Sequence, residues 1–316
     1  MPVHTVLGPI DASDLGPTLP HEHIGVRTPG IAENWPDTYD RAAHKQAAIE
    51  QVQAAYDAGI RTIVDPAPAD LGRDVGLMQE VARETGMQIV CVTGIYWIVP
   101  RYWWGREPDD LADAFVREIE QGIADTGVHP GAIKAATDEG GVTEVNEKCL
   151  RAIARAHRRT GIPIITHNGP PTMGREQQRV FLDEGVDLKD NVVIGHVGDT
   201  DDVTYLRELA DRGSFLGLDR FGIDQTLSFE ARVDTVVRLC AAGYTDRIVL
   251  AHDRCCALDW VPNFETAFAD AAPNWRMNHV SEDVVPALRE RGVSDAQIQE
   301  MLVDNPRRLL EPGTPY

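Results

Sequence analysis

Thr18-Leu19-Pro20-His21-Glu22-His23 is the stretch on which the reading of the chain turns. Two imidazoles one residue apart on an extended strand point to the same side, so they can grip one metal ion. The tripeptide alone is a weak signal. It gains weight because further metal-capable side chains occur singly in later apolar runs. These are Lys134, His167, His196 and Asp253.

The runs that carry them read as strands: 60–65, 88–93, 132–136, 163–167, 192–196, 215–219 and 248–253, with the His21–His23 segment as the first of eight. Amphipathic helical patterns lie between several of them, over 43–58, 110–125, 144–160 and 200–212. Gly161 and Gly213 stand as stops after the last two. The strands are almost continuously apolar, as parallel strands covered on both faces should be. Eight strand-helix units predict a closed (β/α)8 TIM barrel, a single domain over 1–316. An open doubly wound sheet is the alternative, but no GxGxxG follows the first strand. No Gly/Ser tract, charge block or internal repeat divides the chain.

Composition narrows the partners. The 316 residues carry a formal net charge of −20. Nucleic acid and anionic membranes attract basic surfaces, so neither is expected as a partner. A neutral small molecule fits better. The five cysteines form no disulfide framework, and Cys255 and Cys256 are adjacent. No signal-peptide pattern opens the sequence, and no run approaches membrane-spanning length. The expectation is a cytoplasmic protein in a reducing compartment.

In a barrel of this kind the loops at the carboxyl ends of the strands carry the chemistry. His21, His23, Lys134, His167, His196 and Asp253 would therefore meet in one ring. Taken one at a time, each has a plainer reading. A histidine there can be a hydrogen-bonded structural residue, Asp253 can cap a helix, and Lys134 can sit in a buried ion pair. Lys134 is the most telling, because burying an ammonium amid apolar residues is costly. Such a lysine has a depressed pKa and can react with carbon dioxide. Its carbamate would offer two anionic oxygens to bridge two metals. Four histidines, one carboxylate and carbamylated Lys134 can hold two divalent ions, among which zinc, iron, cobalt and manganese suit the donors. Two such ions lower the pKa of a shared water and polarise a carbonyl or phosphoryl oxygen.

These residues, in this order, resemble the phosphotriesterase-like lactonases of the amidohydrolase superfamily. The likeness runs through Gly8-Pro9-Ile10, Leu19–Ile24, Gly94-Ile95-Tyr96, Lys134–Asp138, Gly195–Thr200, Gly217–Gly222, Ala251–Cys256 and Asp304–Arg308. The resemblance implies that His21, His23 and Asp253 bind the more buried metal, and His167 and His196 the more exposed one. Asp253 would also take a proton from the attacking water. Asp199 matches an acidic position that relays protons outward; capping the helix near Asp201 is its alternative role.

Substrate choice, on the same resemblance, falls to Tyr96, Arg220 and Trp260. Tyr96 would steady the lactone oxygens. Arg220 stands where the true phosphotriesterases place histidine, which favours the lactonase branch; an ion pair with Asp219 is its plainer role. Trp260 would line the pocket. Trp97, Trp103 and Trp104 crowd the third loop and suit either an apolar channel for an acyl tail or a dimer interface. A homodimer is what the resemblance implies. Asn168-Gly169-Pro170-Pro171 departs from the family pattern and should stiffen the loop after His167.

The expected reaction is opening of a lactone, foremost an N-acyl homoserine lactone, which would quench a diffusible signal, with promiscuous phosphotriesterase activity. The alternatives are a hydrolase of simple γ- or δ-lactones and a true organophosphate triesterase. A metal-binding protein without activity is the contrasting class.

Overall fold

A computed structural model of the chain describes residues 2–316, apart from the side chain of Glu265. A short antiparallel hairpin comes first, β1 (Val3–Thr5) and β2 (Gly8–Ile10). Eight strands follow: β3 (Thr18–Leu19), β4 (Thr62–Asp65), β5 (Gln88–Gly94), β6 (Ala132–Thr137), β7 (Ile164–Asn168), β8 (Val192–Ile194), β9 (Phe215–Leu218) and β10 (Ile248–Leu250). They pair in parallel, each with its neighbour in sequence, from β3 round to β10. The expected TIM barrel is the fold.

The seam between β3 and β10 is closed beyond the strands proper. His23 N donates to Arg254 O (2.8 Å), Asp253 N to His21 O (3.0 Å) and Cys256 N to His23 O (2.9 Å). The expected His21–His23 strand is therefore corrected. β3 is only Thr18–Leu19, because Pro20 has no N–H to continue the ladder. The histidine pair lies just past it, where the chain bends at Pro20–His21 and His23 bridges to Cys255.

Strand alternation sorts the side chains. Val64, Val90, Ala132, Ile165, Val193, Phe215 and Val249 point into the barrel, where Val3, Leu15, Leu309 and Leu310 complete the same apolar cluster. Ile63, Ile89, Ile133, Ile164, Val192, Ile194 and Ile248 point outward against the helices. By the same period of two, Lys134 shares the inner face with Ala132, and His167 with Ile165.

The helix expected over 144–160 is observed as Glu144–Thr160. Thr143 caps its start, and Gly161 ends it at φ 74°. Those expected over 43–58 and 110–125 appear as Arg41–Asp57 and Pro108–Gln121. The helix expected over 200–212 is shorter, Val203–Asp211, because Asp202 caps it through Thr204 N and Tyr205 N. Asp199 is thus not the cap. No helix among the described residues is long and apolar enough to cross a membrane.

Candidate metal centre

Six side chains converge at the carboxyl-terminal mouth of the barrel. Lys134 rises from the inner face of β6, and Nζ lies 3.1 Å from His21 Nε2. His167 comes from β7. His196 follows β8 and Asp253 follows β10, both in the left-handed region (φ 59° and 55°), which residues with a Cβ seldom adopt. Each is pinned there. His196 N donates to Asp219 Oδ1 (2.8 Å), and Asp253 N to His21 O. The sharp turns are sustained by these bonds, a pattern frequent where side chains must be aimed.

The remote nitrogen of every histidine is held by a carboxylate. Nδ1 of His21 lies 3.1 Å from Asp219 Oδ2, and Nδ1 of His196 lies 2.9 Å from Asp219 Oδ1. Nδ1 of His23 lies 3.2 Å from Asp65 Oδ1, and Nε2 of His167 lies 2.7 Å from Asp138 Oδ2. Where that nitrogen carries the proton of a neutral ring, the other one turns a bare lone pair inward. His196 Nε2 and His167 Nδ1 then face each other at 2.9 Å with no proton to share. Asp253 Oδ1 stands 3.4 Å from His23 Nε2 and 3.6 Å from His21 Nε2, and Oδ2 stands 3.7 Å from His196 Nε2. The His196–His167 pair, acceptor facing acceptor in a buried ring, is an arrangement that a cation resolves, and carboxylates behind the imidazoles orient and strengthen them as ligands. His21, His23 and Asp253 form one metal-capable group, and His21, His196 and Asp219 another.

Burial and charge set the protonation. Burial pulls the Lys134 amine down to about 8, against the attraction of Asp253 and Asp219. It also lowers His167 to about 4, although Asp138 opposes it. At His23 burial is outweighed by Asp253 and Asp65, which lift the pKa to about 9. Burial favours a neutral Asp253, but His196, His23, His21 and Arg220 hold its carboxyl well below the usual range.

The matched family model, described as the phosphotriesterase family, spans residues 1–310. The chain belongs to the phosphotriesterase family. It is 46% identical to a phosphotriesterase homology protein of Mycobacterium tuberculosis, an alignment covering 98% of this chain and 97% of the relative. It is 40% identical to an aryldialkylphosphatase of Saccharolobus solfataricus, over 95% and 96% of the two chains. An N-acetyltaurine hydrolase of Tetraodon nigroviridis is 28% identical over 98% and 97%. The solved structure of the phosphotriesterase from Mycobacterium tuberculosis superposes with a TM-score of 0.95 at 46% identity, covering 100% of both chains. The chain is thus a phosphotriesterase-family hydrolase with residues suited to holding metal.

Around this family centre, Tyr96 meets His167 edge-on, with ring centroids 5.0 Å apart. Burial, with Asp253 and Asp138 nearby, pushes its phenol up, so it stays a hydrogen-bond donor. Trp97 is half-buried beside it, with centroids 6.4 Å apart. Arg220 does not pair with Asp219, which is engaged by His21 and His196. Its Nε donates to Asp253 Oδ2 and its Nη1 to Asp199 Oδ2, both at 3.0 Å. Asp199 also accepts from Arg232 Nη2 at 2.7 Å. A guanidinium that keeps its protons thus stands between Asp253 and Asp199.

Trp260 and Trp103 line a cavity of about 630 Å³ that also touches Tyr96, whereas Trp104 is 52% exposed. After His167, Pro171–Met173 forms a 3-10 turn into the helix Gly174–Asp183, whose Gln177 donates to His167 O (2.8 Å). All five cysteines are buried and free of disulfides, and burial pushes Cys91 and Cys149 up to about 12.

Sequence reasoning missed the orienting carboxylates Asp65 and Asp138 and gave Asp219 the wrong partner. The signal was present: each lies at, or one residue past, the end of a barrel strand. Glu22 was also passed over. Its buried carboxylate accepts from His252 N (2.8 Å), His252 Nδ1 (2.7 Å) and Arg254 N (3.0 Å). It thereby brackets Asp253 on both sides.

Proposed function

We propose that the protein is a binuclear-metal lactonase acting foremost on N-acyl homoserine lactones, with weaker phosphotriesterase activity. The observation that carries this reading is the Tyr96 phenol, a protonated donor set edge-on to His167 at the rim of the ligand ring. Two divalent cations bound by this ring would activate a water as nucleophile and polarise the ester carbonyl. His21, His23 and Asp253 would hold one ion and His167 and His196 a second, with carbamylated Lys134 as a ligand shared by both. The carbamate forms when the neutral amine of Lys134 bonds to the carbon of carbon dioxide and releases one proton.

The protein groups then share the remaining work. Tyr96 donates to the lactone oxygen that gains charge, an electrostatic role of the oxyanion-hole type. Asp253 takes the proton of the attacking water and returns it to the alkoxide leaving group. Asp199 and Arg232 keep Arg220 in place, and a proton leaving the site towards Asp199 would have to pass beside Arg220 through water. Trp97 and Trp260 border the substrate.

The second reading is a true triesterase, favoured by the 40% identity to an aryldialkylphosphatase. A pH-stat assay of the metal-loaded protein on acyl homoserine lactones, plain γ- and δ-lactones and one aryl phosphotriester separates them. Fast lactone opening with slow triester turnover is expected. Inert lactones with fast triester turnover would replace the first reading by the second.

A further inference from the structure

The cavity of about 630 Å³ lies behind Tyr96, in the space between the loops that follow β4, β5 and β10. Its size is that of a small-molecule site. None of the six ring residues lines it, yet Tyr96 belongs to both places. The walls include Leu71, Ile95, Ile98, Trp103, Phe115 and Trp260. Two carboxylates interrupt this apolar lining. Glu118 is fully engaged by Arg73, at 2.7 and 2.9 Å. Asp70 is different. Its Oδ2 accepts from Tyr96 N (2.9 Å), while Oδ1 is buried and accepts no hydrogen bond among the described residues.

A buried, unsatisfied carboxylate oxygen is expensive to keep, and such an atom in a ligand-sized cavity calls for a donor that arrives with the ligand. We propose that this cavity seats the acyl arm of the substrate and that Asp70 Oδ1 accepts the N–H of its secondary amide. The inference rests on the lactonase reading and narrows it. Lactones bearing an N-acyl amide are selected over plain lactones of equal length, because only they satisfy Asp70. A plain alkyl tail would leave the carboxylate buried and unpaired, which is the larger penalty in such discrimination. The backbone bond from Tyr96 to Asp70 ties the selecting group to the residue that borders the metal centre.

The test separates binding from turnover. N-decanoyl aminolactam, a ring amide that replaces the labile ester, and its analogue methylated on the side-chain amide nitrogen are titrated into the metal-loaded protein. Tryptophan fluorescence reports binding, since Trp103 and Trp260 line the cavity. Methylation should weaken binding to the wild type about tenfold or more, the usual worth of a hydrogen bond to a charged group. In Asp70→Asn, and in Asp70→Ala, the two ligands should bind within about twofold of each other.

Equal binding of both ligands to the wild type overturns the inference without reference to any variant. So does an equal loss in the wild type and in a folded Asp70 variant, which would mean that the methyl group merely clashes. Failure of the lactonase reading shows separately, as a wild type that opens neither N-decanoyl homoserine lactone nor a plain decalactone.

Discussion

Lys134 shows how much one side chain can imply. A lysine on the inner face of a barrel strand, 3.1 Å from an imidazole nitrogen, has given up most of its hydration. Its pKa of about 8 leaves a useful neutral fraction near neutral pH. Lys134→Ala should lose hydrolytic activity by about a hundredfold, the scale on which disrupting a metal site acts. Added short carboxylic acids, supplying the two missing oxygens, should restore part of it. Unchanged activity would remove the carbamate from the account. Asp70 offers a pH test of a different kind. Burial raises its pKa to about 6 from 3.8, partly offset by the hydrogen bond from the Tyr96 amide and by the charges of Arg73 and Lys134. A raised folded-state pKa means that the native protein binds this proton more tightly than the unfolded chain. The resulting penalty is absent below the unfolded value and is fully present above pH 6. The stability of Asp70→Asn relative to wild type should therefore improve between pH 4 and pH 7, as read by urea unfolding at both. A difference that does not move with pH would refute the burial argument.

At the scale of elements, the sequence was most legible where periodicity and punctuation agree. The helix Glu144–Thr160 was readable to the residue because Thr143 and Gly161 mark its ends. The barrel was readable because eight apolar runs alternate with amphipathic ones. The ring residues were readable because a histidine or lysine is out of place in such a run. Asp65, Asp138 and Asp219 were not, because an aspartate after a strand is unremarkable until the histidine behind which it stands is known. The β1–β2 hairpin went unread because three-residue strands carry too little pattern. Gly94 links element to site. It ends β5 at φ 109°, opposite Lys134 in the register, and a Cβ there would fall inside the contact radius of the Lys134 carbonyl oxygen. Gly94→Ala should cost at least about 2 kcal/mol, from strain and a forced shift of β6. Chemical denaturation measures the cost. A loss below 0.5 kcal/mol, near the noise of neutral surface changes, would show that the strand pair gives way freely.

For the whole molecule, the ring ties distant parts of the chain together, so occupancy and global stability are linked. Stripping metal with a chelator should lower the melting temperature by roughly 8 °C or more, given a few kcal/mol of binding linkage. An unchanged melting temperature would mean that the ring is not a metal site of consequence. The loop after β5 also leaves Ile98, Tyr102 and Trp104 exposed at 62%, 64% and 52%. We propose that this apolar rim joins two copies of the chain. Sedimentation equilibrium should give about twice 34.8 kDa, and Tyr102→Ser should shift the balance towards that single-chain mass. A monomeric wild type would refute it. The barrel seam has one more consequence. His21 and His23 are made early in synthesis, whereas Asp253, their partner across the seam, is made some 230 residues later and is bracketed by the carboxylate that separates the two histidines. A ribosome-bound chain therefore displays half a binding site for most of its translation. A cation that needs both halves of the site would bind tightly only once the last strand has docked, and its uptake would then double as a check that the barrel has been finished.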